Sequence, residues 1–378
     1  MSTLRTILSR IGPLRATLIP GLLLTLIIVL VVQQSQSPHS ADDDNADLSS
    51  AAHKAALAKR AHNSSLGFGE IVYISMPERT DRQDAMNLLA DSFGLQLKLV
   101  PGVRGTDMSP KAIPDEVPEK MRPSELGCWR AHADAWRYLL ESDLETLLIF
   151  EDDVDWNPNL KQTFETLSLQ MQDSKVRLTH PSDYERKIAP YGLDWDVLYV
   201  GSCKDGGNPD FNGVVQVWDD PDVPRAEQTS KSTLEALHNF GLSDADIGKK
   251  RVLAPAYWTL CTTAYAVTRQ GAKRLLLTMS YLGLRAAVDN DMSRIFREGK
   301  LRGYTLSPPA FSQFRVGGAK DSDRVDIGQT VEGKGNTQGR SYNIKGSARQ
   351  WMVDSLKLDN WEEYRRATGA KSTSTETW

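Results

Sequence analysis

The sequence predicts an α/β fold, in which a mainly parallel sheet is flanked by helices and preceded by one N-terminal transmembrane helix. Short apolar runs typical of buried strands occur at residues 71–74, 147–150 and 195–200. Segments with helical spacing of apolar residues alternate with these runs, as in βαβ units. The composition, 40% hydrophobic and 25% charged, is that of an ordinary globular protein. With 45 basic and 49 acidic residues, the chain also lacks the excess positive charge of a nucleic-acid binder.

The N-terminal segment predicts a membrane anchor. Residues 16–32, ATLIPGLLLTLIIVLVV, carry no charge, and arginines stand at positions 5, 10 and 15 before them. A helix of this length rises about 25 Å, which is at the short end for a bilayer core. By the positive-inside rule, residues 1–15 form a cytosolic tail and the rest of the chain is lumenal, in the Golgi or the endoplasmic reticulum. A cleaved signal peptide or a mitochondrial presequence is the alternative, but no small-residue cleavage site follows closely.

Residues 33–66 are polar and rich in alanine, which predicts a flexible or loosely helical lumenal stem. The sequon Asn63-Ser64-Ser65 lies in this stem and is accessible for N-glycosylation in that orientation. The predicted catalytic domain then runs over residues 67–316. A C-terminal extension over residues 317–378, rich in Gly, Ser, Lys and Arg, is predicted to be partly disordered.

The first half of the catalytic domain is predicted to contain three strands and two helices. A strand at 71–74 is followed by a helix over about 80–93, which ends before Gly94. A second strand over 95–100 stops at Pro101-Gly102, and the proline-rich segment 105–123 is a loop. A long helix follows, with Ser124 as its expected N-cap and an apolar stripe at three–four spacing. The third strand, 147–150, runs directly into three acidic residues.

The second half repeats this alternation around a polar segment. Strands are predicted at 195–200 and 259–267, the latter followed by a helix, and another helix starts near Asp289. The polar segment 203–251 is predicted to be an insertion beside the sheet that shapes a binding cleft.

The strongest chemical signal is the acidic motif Glu151-Asp152-Asp153. It follows a buried strand, at the edge of an open α/β sheet where ligands bind. Three adjacent carboxylates repel one another unless a cation or several donors neutralise them, and oxygen ligands favour Mg²⁺ or Mn²⁺. Such an ion commonly bridges the phosphates of a nucleotide. The simpler interpretation is a solvated acidic turn.

Three further groups are candidates for the site. Arg79, Asp81 and Arg82 stand at a strand-to-helix turn, where arginines bind phosphate, although a charged helix start explains them as well. Cys128 and His132 are four residues apart and share a helix face. A zinc site needs more ligands than this pair supplies, so a hydrogen-bonded histidine is the favoured interpretation. Gly127, beside them, permits a close approach to the helix.

The last candidate is Asp289, at a predicted helix start. An N-cap is the favoured interpretation from position alone. The same carboxylate could instead act as a general base toward an acceptor hydroxyl. The chain has three cysteines, Cys128, Cys203 and Cys261, without a CxxC pair, which allows one disulfide and one thiol. The sequence does not indicate which two cysteines form the pair.

Taken in order, these motifs resemble glycosyltransferase family 25, which contains bacterial lipopolysaccharide galactosyltransferases and procollagen galactosyltransferases. The resemblance spans roughly residues 71–309, and its blocks are IVYISMPERTDRQDAM, SELGCWRAHADAWRYLL, TLLIFEDDV, TLCTTAYAVTRQGAKRLL and AAVDNDM. It implies a GT-A fold, a nucleotide-sugar donor, usually UDP-galactose, a glycan or glycoprotein acceptor, and inversion at the anomeric carbon.

The resemblance also implies roles for individual residues. Glu151 and Asp152 match the family's nucleotide-binding acidic motif, with Asp153, together with Glu151, on Mn²⁺ or Mg²⁺. The turn Arg79, Asp81, Arg82 matches the family's nucleotide contacts, and His132 matches the histidine of its Gly-Cys helix. Asp289 matches the family's Val-Asp and is the implied catalytic base.

The chain departs from the family at two points: Ala131 stands where a serine is common, and Ser75-Met76 replaces Asn-Leu. The role of the Gly-Cys helix is therefore open.

Two other functions remain as alternatives. One is an inactive lumenal binding or adhesion module of the same fold, against which the intact acidic motif argues. The other is a different metal-dependent nucleotide enzyme, such as a nucleotidyltransferase or phosphohydrolase. That class predicts a glycine-rich phosphate loop or a histidine-rich metal cluster, and the sequence shows neither.

Overall fold

The computed structural model describes residues 47–48, 50–114, 117–172, 174–209, 213–314 and 341–356. The compact unit that contains the sheet and the candidate site begins at Lys54. The predicted cytosolic tail and anchor lie outside the described residues, as do most of the predicted C-terminal extension and the first part of the stem. Within the described ranges, the structure contains no helix with the length and apolar character needed to cross a bilayer.

The elements follow in alternation along the chain. The helices are α1 Ala51–Ala58, α2 Thr80–Phe93, α3 Pro123–Glu141, α4 Leu160–Gln172, α5 Asp183–Ile188, α6 Lys231–Asn239, α7 Arg269–Leu275, α8 Val288–Arg297 and α9 Ala348–Leu356. The strands are β1 Glu70–Ser75, β2 Leu97–Pro101, β3 Thr146–Glu151, β4 Val154–Trp156, β5 Val197–Gly201, β6 Gln216–Asp219, β7 Lys250–Pro255, β8 Ala264–Thr268, β9 Gly303–Ser307 and β10 Phe311–Gln313.

The described strands build a mixed eight-stranded sheet with the order β2-β1-β3-β8-β5-β9-β7-β6, and β4 pairs with β10 separately. Strand β8 is antiparallel to β3 and β5, and β7 is antiparallel to β9 and β6, whereas β2, β1 and β3 are parallel neighbours, as are β5 and β9. Six of the eight strands in this sheet therefore point the same way. This confirms the predicted α/β class with a mainly parallel sheet.

Side chains of successive strand residues enter opposite faces of the sheet. In β1, Ile71 and Tyr73 lie in one core cluster and Val72 in the other. Helices α2, α4 and α9 contribute to the first cluster, and α3, α7 and α8 to the second. The period-2 alternation of β-strands thus buries both faces, which explains why the strands read as continuous apolar runs.

The parallel register brings three strand ends to one edge. Ile74 pairs with Glu151, and Ser75 pairs with Pro101, so β1, β2 and β3 end side by side. The loops that leave these ends must therefore share one edge of the sheet, where open α/β sheets bind ligands.

Several predicted boundaries differ from the observed ones. Helix α2 ends at Gly94 as predicted, because this residue adopts a left-handed backbone with φ of 59°. The expected Ser124 cap is wrong: Arg122 is the N-cap of α3, and its backbone N–H donates to Glu125 at 3.1 Å. Pro123 then occupies the first helical position, where its missing N–H costs nothing. The strand predicted at 259–267 begins only at Ala264.

The polar segment 203–251 adds strand β6 and helix α6 at one edge of the sheet. Residues 51–62, predicted as stem, form α1 and a 3₁₀ turn, and Leu57, Ala58 and Ala61 are buried. Of the predicted C-terminal extension, residues 341–356 carry α9, whose Met352 is buried in the core.

Candidate functional site

A cavity of about 430 Å³ lies at the edge where β1, β2 and β3 end. The loops after these strands and the starts of α3 and α8 line it. The lining residues that carry the argument are Arg82, Cys128, His132, Glu151, Asp152, Asp153 and Asp289. The structure therefore brings the acidic motif, one of the two turn arginines, the Gly-Cys helix and the predicted base together. It does not bring Arg79 or Asp81 to this lining.

Glu151 is the last residue of β3 and projects into the cavity. Its Oε1 accepts a hydrogen bond from the Thr262 hydroxyl at 2.6 Å and lies 3.7 Å from Nε2 of His132. Its Oε2 accepts a longer hydrogen bond from Gln313 at 3.5 Å. Strand pairing and three side chains thus orient the carboxylate.

Asp152 is neutralised from within the protein. One carboxylate oxygen forms an ion pair with the Arg82 guanidinium, and the other accepts a hydrogen bond from the Ser75 hydroxyl at 2.6 Å. Both partners of the ion pair are buried, with side-chain exposures of 10% for Arg82 and 7% for Asp152. The repulsion expected within the acidic motif is therefore partly relieved by a buried arginine.

Asp153 is 6% exposed and is one of the residues that line the cavity. Its backbone carbonyl accepts a hydrogen bond from the N–H of Phe314 at 2.7 Å. Arg349, which is 9% exposed, holds the same turn because its guanidinium donates to the carbonyls of Asp152 and Val154 at 3.0 and 2.9 Å. Burial lowers the pKa of this guanidinium. The helix that carries Arg349 thus shapes the acidic turn.

Arg79 and Asp81 bind each other at the start of α2. The guanidinium donates two hydrogen bonds, at 2.9 and 2.8 Å, to the two oxygens of Asp81. The hydrogen bond from Arg79 lowers the pKa of Asp81 to about 2. Asp81 is largely exposed, so this pair lies at the surface next to the cavity rather than on its wall.

Helix α3 approaches the loop after β2 very closely. A Cβ at Gly127 would stand 2.0 Å from the carbonyl oxygen of Val103, and one at Gly105 would stand 1.8 Å from that of Pro123. The prediction that Gly127 permits a close approach is confirmed. The approaching element is this loop, which forms one wall of the cavity.

His132 is fully buried and is oriented by a hydrogen-bonded chain. Its Nδ1 lies 2.9 Å from the Tyr265 hydroxyl, which also accepts a hydrogen bond from the Trp136 indole at 2.9 Å. Its Nε2 faces Glu151. Predicting a hydrogen-bonded histidine was therefore correct.

Cys128, His132 and Glu151 form a cluster whose potential ligand atoms all lie within 4.8 Å of one another. The third member comes from β3, so no sequence spacing on α3 could reveal it. Such a mixture of sulfur, nitrogen and oxygen donors differs from the oxygen-only set predicted from the acidic motif.

Asp289 is the second residue of α8 and stands two residues after the N-cap, Ala287, so the N-cap interpretation is wrong. Its Oδ2 accepts a hydrogen bond from the Cys261 N–H at 3.3 Å, and its Oδ1 accepts one from the Asn290 N–H at 2.8 Å. Cys261 has a positive φ of 69° and forms a disulfide with Cys203. The disulfide therefore holds the loop that contacts the predicted base.

The sequence analysis missed several residues that support the site. Ser75, Thr262, Tyr265 and Arg349 contact the predicted residues through long-range hydrogen bonds, Arg349 through the Asp152 backbone carbonyl. The only local signal was the position of Ser75 at the end of an apolar strand. The other three stand 111–197 residues from their partners in sequence, so no local pattern indicates them.

A donor set of carboxylates suits a hard divalent cation. Glu151 and Asp153 both line the cavity, whereas Asp152 is engaged by Arg82. Oxygen ligands of this kind fit Mn²⁺ or Mg²⁺.

Comparison with known proteins adds a family. Residues 68–188 match the model of glycosyltransferase family 25 (LPS biosynthesis protein). The chain is 26% identical over 223 residues to procollagen galactosyltransferase 1-A of Xenopus laevis, which covers 56% of this chain and 28% of that protein. It is 25% identical over 224 residues to human procollagen galactosyltransferase 2, with the same two coverages.

A third relative carries a different description. The chain is 26% identical over 247 residues to human "Inactive glycosyltransferase 25 family member 3", which covers 62% of this chain and 32% of that protein. The chain thus spans only 28–32% of the length of these relatives.

Proposed function

We propose that this chain is a hexosyltransferase of glycosyltransferase family 25, whose model matches residues 68–188. It moves a sugar, galactose in the first instance, from a UDP-sugar to a hydroxyl group of a glycan or glycoprotein acceptor. The observation that carries this proposal is the convergence of the acidic motif, Arg82 and Asp289 on one cavity. The names of two relatives, both procollagen galactosyltransferases, support the choice of galactose.

In this proposal Asp153 and Glu151 hold Mn²⁺ or Mg²⁺. The ion, when bound, offsets negative charge on the departing diphosphate. The ion pair of Asp152 and Arg82 stabilises the acidic turn, and Arg349 holds the backbone of that turn by a hydrogen bond. His132 contributes to the nucleotide side of the cavity, next to Glu151. Arg79 and Asp81 reach the nucleotide only at the rim, because they do not line the cavity.

Asp289 is the proposed general base. Hydrogen bonds from the backbone N–H groups of Cys261 and Asn290 fix its carboxylate at the cavity wall, and lone pairs remain to accept the acceptor's hydroxyl proton. Attack on the face of the sugar opposite the leaving UDP inverts the anomeric carbon in one displacement. The mixed sheet flanked by helices is consistent with a GT-A-like domain, which we include in the proposal.

We also propose a lumenal location for the site, in a single-pass type II membrane protein of the Golgi or endoplasmic reticulum. The uncharged segment 16–32 would be its anchor. The Cys203–Cys261 disulfide supports an oxidising compartment. Asn63 of the sequon is exposed, which suits glycosylation in that compartment.

A donor screen tests the function. The full-length chain in detergent is incubated with each UDP- and GDP-sugar, with and without Mn²⁺, and release of the nucleoside diphosphate is measured. We expect metal-dependent turnover of UDP-galactose or UDP-glucose, and its loss in Asp153→Asn. Asp244→Asn is the matched control, because the Asp244 side chain is 97% exposed. Equal turnover by Asp153→Asn and wild type would remove the metal assignment.

The competing function is an inactive binding module, which the description of the third relative favours. It predicts that UDP binds while no UDP-sugar is transferred or hydrolysed with any metal. Calorimetric titration with UDP, run beside the donor screen, separates the two functions.

A further inference from the structure

We propose that Cys128, His132 and Glu151 form a second cation site, selective for Zn²⁺, that shares Glu151 with the proposed hard-cation site at Asp153. The three side chains converge on the same cavity from two elements. Cys128 and His132 lie one turn apart on α3, and Glu151 ends β3. The cation binding itself does not depend on the proposed transferase activity.

The spacing of the ligand atoms fits a small tetrahedral cation. Bonds of about 2.0 Å to nitrogen or oxygen and about 2.3 Å to sulfur place tetrahedral ligands about 3.3–3.6 Å apart. Nε2 of His132 and Oε1 of Glu151 are 3.7 Å apart, and all three ligand atoms lie within 4.8 Å of one another. Closing the site therefore requires the ligand atoms to approach one another by about 1.5 Å or less, which rotation of the Cys128 side chain can supply.

The surrounding residues orient the ligands as outer-shell groups do in known zinc sites. When Nε2 of His132 binds a cation, Nδ1 carries the proton and donates a hydrogen bond to the Tyr265 hydroxyl, 2.9 Å away. That hydroxyl is held in turn by the indole N–H of Trp136. On the other side, Thr262 donates to the Glu151 carboxylate at 2.6 Å. Two of the three ligands are thus oriented before any cation arrives.

The donor chemistry selects the metal. A thiolate, an imidazole and a carboxylate favour Zn²⁺ over Mg²⁺ and Mn²⁺, which prefer oxygen ligands. Binding forms a zinc–sulfur bond and releases the Cys128 thiol proton to the solvent. The fourth ligand position faces the cavity and takes water. Because Cys203 and Cys261 form the disulfide, Cys128 carries the chain's remaining thiol.

The shared ligand also predicts an effect of Zn²⁺ on sugar transfer, and this prediction rests on the proposed function. Glu151 cannot serve Zn²⁺ and the proposed nucleotide–Mn²⁺ site at once. Zn²⁺ should therefore inhibit transfer, and because the two ions compete for Glu151, a high Mn²⁺ concentration should relieve the inhibition.

The direct test uses Co²⁺ as a spectroscopic probe with the full-length chain. Co²⁺ bound to a thiolate gives a charge-transfer absorption band, and here that band reports on one thiol. We expect the band in wild type, its displacement by stoichiometric Zn²⁺, and its absence in Cys128→Ser. Tyr265→Phe should weaken Zn²⁺ binding by about 10–100-fold, the usual cost of losing an outer-shell partner. Asp153→Asn should retain the band, because that residue is outside the cluster, and so should the exposed-histidine control His62→Gln.

A second measurement needs no variant. Zn²⁺ at stoichiometric concentration should slow alkylation of Cys128 in wild type at least tenfold, whereas Mn²⁺ should not. Absence of the charge-transfer band, or equal Zn²⁺ binding by Cys128→Ser, would overturn the site. A band without any sugar transfer would leave this site in place and refute the proposed function. Sugar transfer without a band would refute this cation site and leave the proposed function in place.

Discussion

Replacing Asp152 by asparagine should destabilise the fold far more than the loss of one hydrogen bond. The substitution removes the Asp152 charge from the ion pair with the Arg82 guanidinium, which is 10% exposed, and it weakens the bond from Ser75. Removing one partner of a buried ion pair costs about 3–5 kcal/mol. At about 2 °C per kcal/mol for a large domain, the melting temperature should fall by about 6–10 °C.

The matched control is the other arginine–aspartate pair of the same helix start. Asp81→Asn removes a partner of Arg79 in a pair whose Asp81 side chain is 65% exposed, so the loss should stay below about 1 kcal/mol. Both variants are compared with wild type by differential scanning fluorimetry and by urea titration. If Asp152→Asn and Asp81→Asn melt within a degree of each other, the buried pair does not support the acidic turn as argued.

A double-mutant cycle separates the charge effect from packing. Adding Arg82→Met to Asp152→Asn removes the buried guanidinium charge and should recover part of the lost stability, because replacing both partners of a buried ion pair by neutral groups often changes stability little. A double variant that is less stable than the sum of the two single changes would contradict this reasoning.

Two further predictions concern the wall of the cavity and the core beside the disulfide. Gly127→Ala places a methyl group 2.0 Å from the Val103 carbonyl oxygen, so it should lower the free energy of unfolding, measured in urea, by about 1–3 kcal/mol. Gly207→Ala is the control and should lower it clearly less, because its new Cβ would have no neighbour nearer than 3.6 Å. Burial raises the pKa of Asp205 to about 6, from a usual 3.8. Because the folded state then holds the proton more tightly than the unfolded state, this group's contribution to stability is present below about pH 4 and is lost as the pH rises through about 6. The loss is about 3 kcal/mol, at about 1.4 kcal/mol for each tenfold change in proton affinity. The urea midpoint of the wild type, measured relative to that of Asp205→Asn, should therefore fall between pH 4 and pH 7. A difference between the two proteins that is the same at both pH values would refute the assignment.

Sequence patterns located most of the elements that build the site. The apolar runs at 71–74 and 147–150 and the helix over 80–93 correspond to β1, β3 and α2. These elements were found because burial on both faces leaves a continuous apolar run, and an amphipathic helix leaves a three–four spacing. Strands β4 and β10, three residues each, were missed because so short a run carries no periodicity.

The strand over 259–267 was predicted too long for a different reason. Residues 259–263 have the composition of a strand, but Cys261 adopts a positive φ and pairs with Cys203, so the segment turns toward the cavity before β8 begins. Local propensity favoured an extended chain, and the distant disulfide partner overrode it.

Local patterns established the acidic motif at a strand end, the shared face of Cys128 and His132, and the position of Asp289 near a helix start. Such features depend on neighbours in the chain, whose geometry is set by the periods of helix and strand. Only the tertiary structure determines the partners of these residues, which are distant in sequence: Arg82 contacts Asp152, Tyr265 contacts His132, Cys203 bonds to Cys261, and Glu151 joins the Cys128–His132 pair. Those contacts depend on the spatial order of the strands in the sheet, which the period of apolar residues along the chain does not specify.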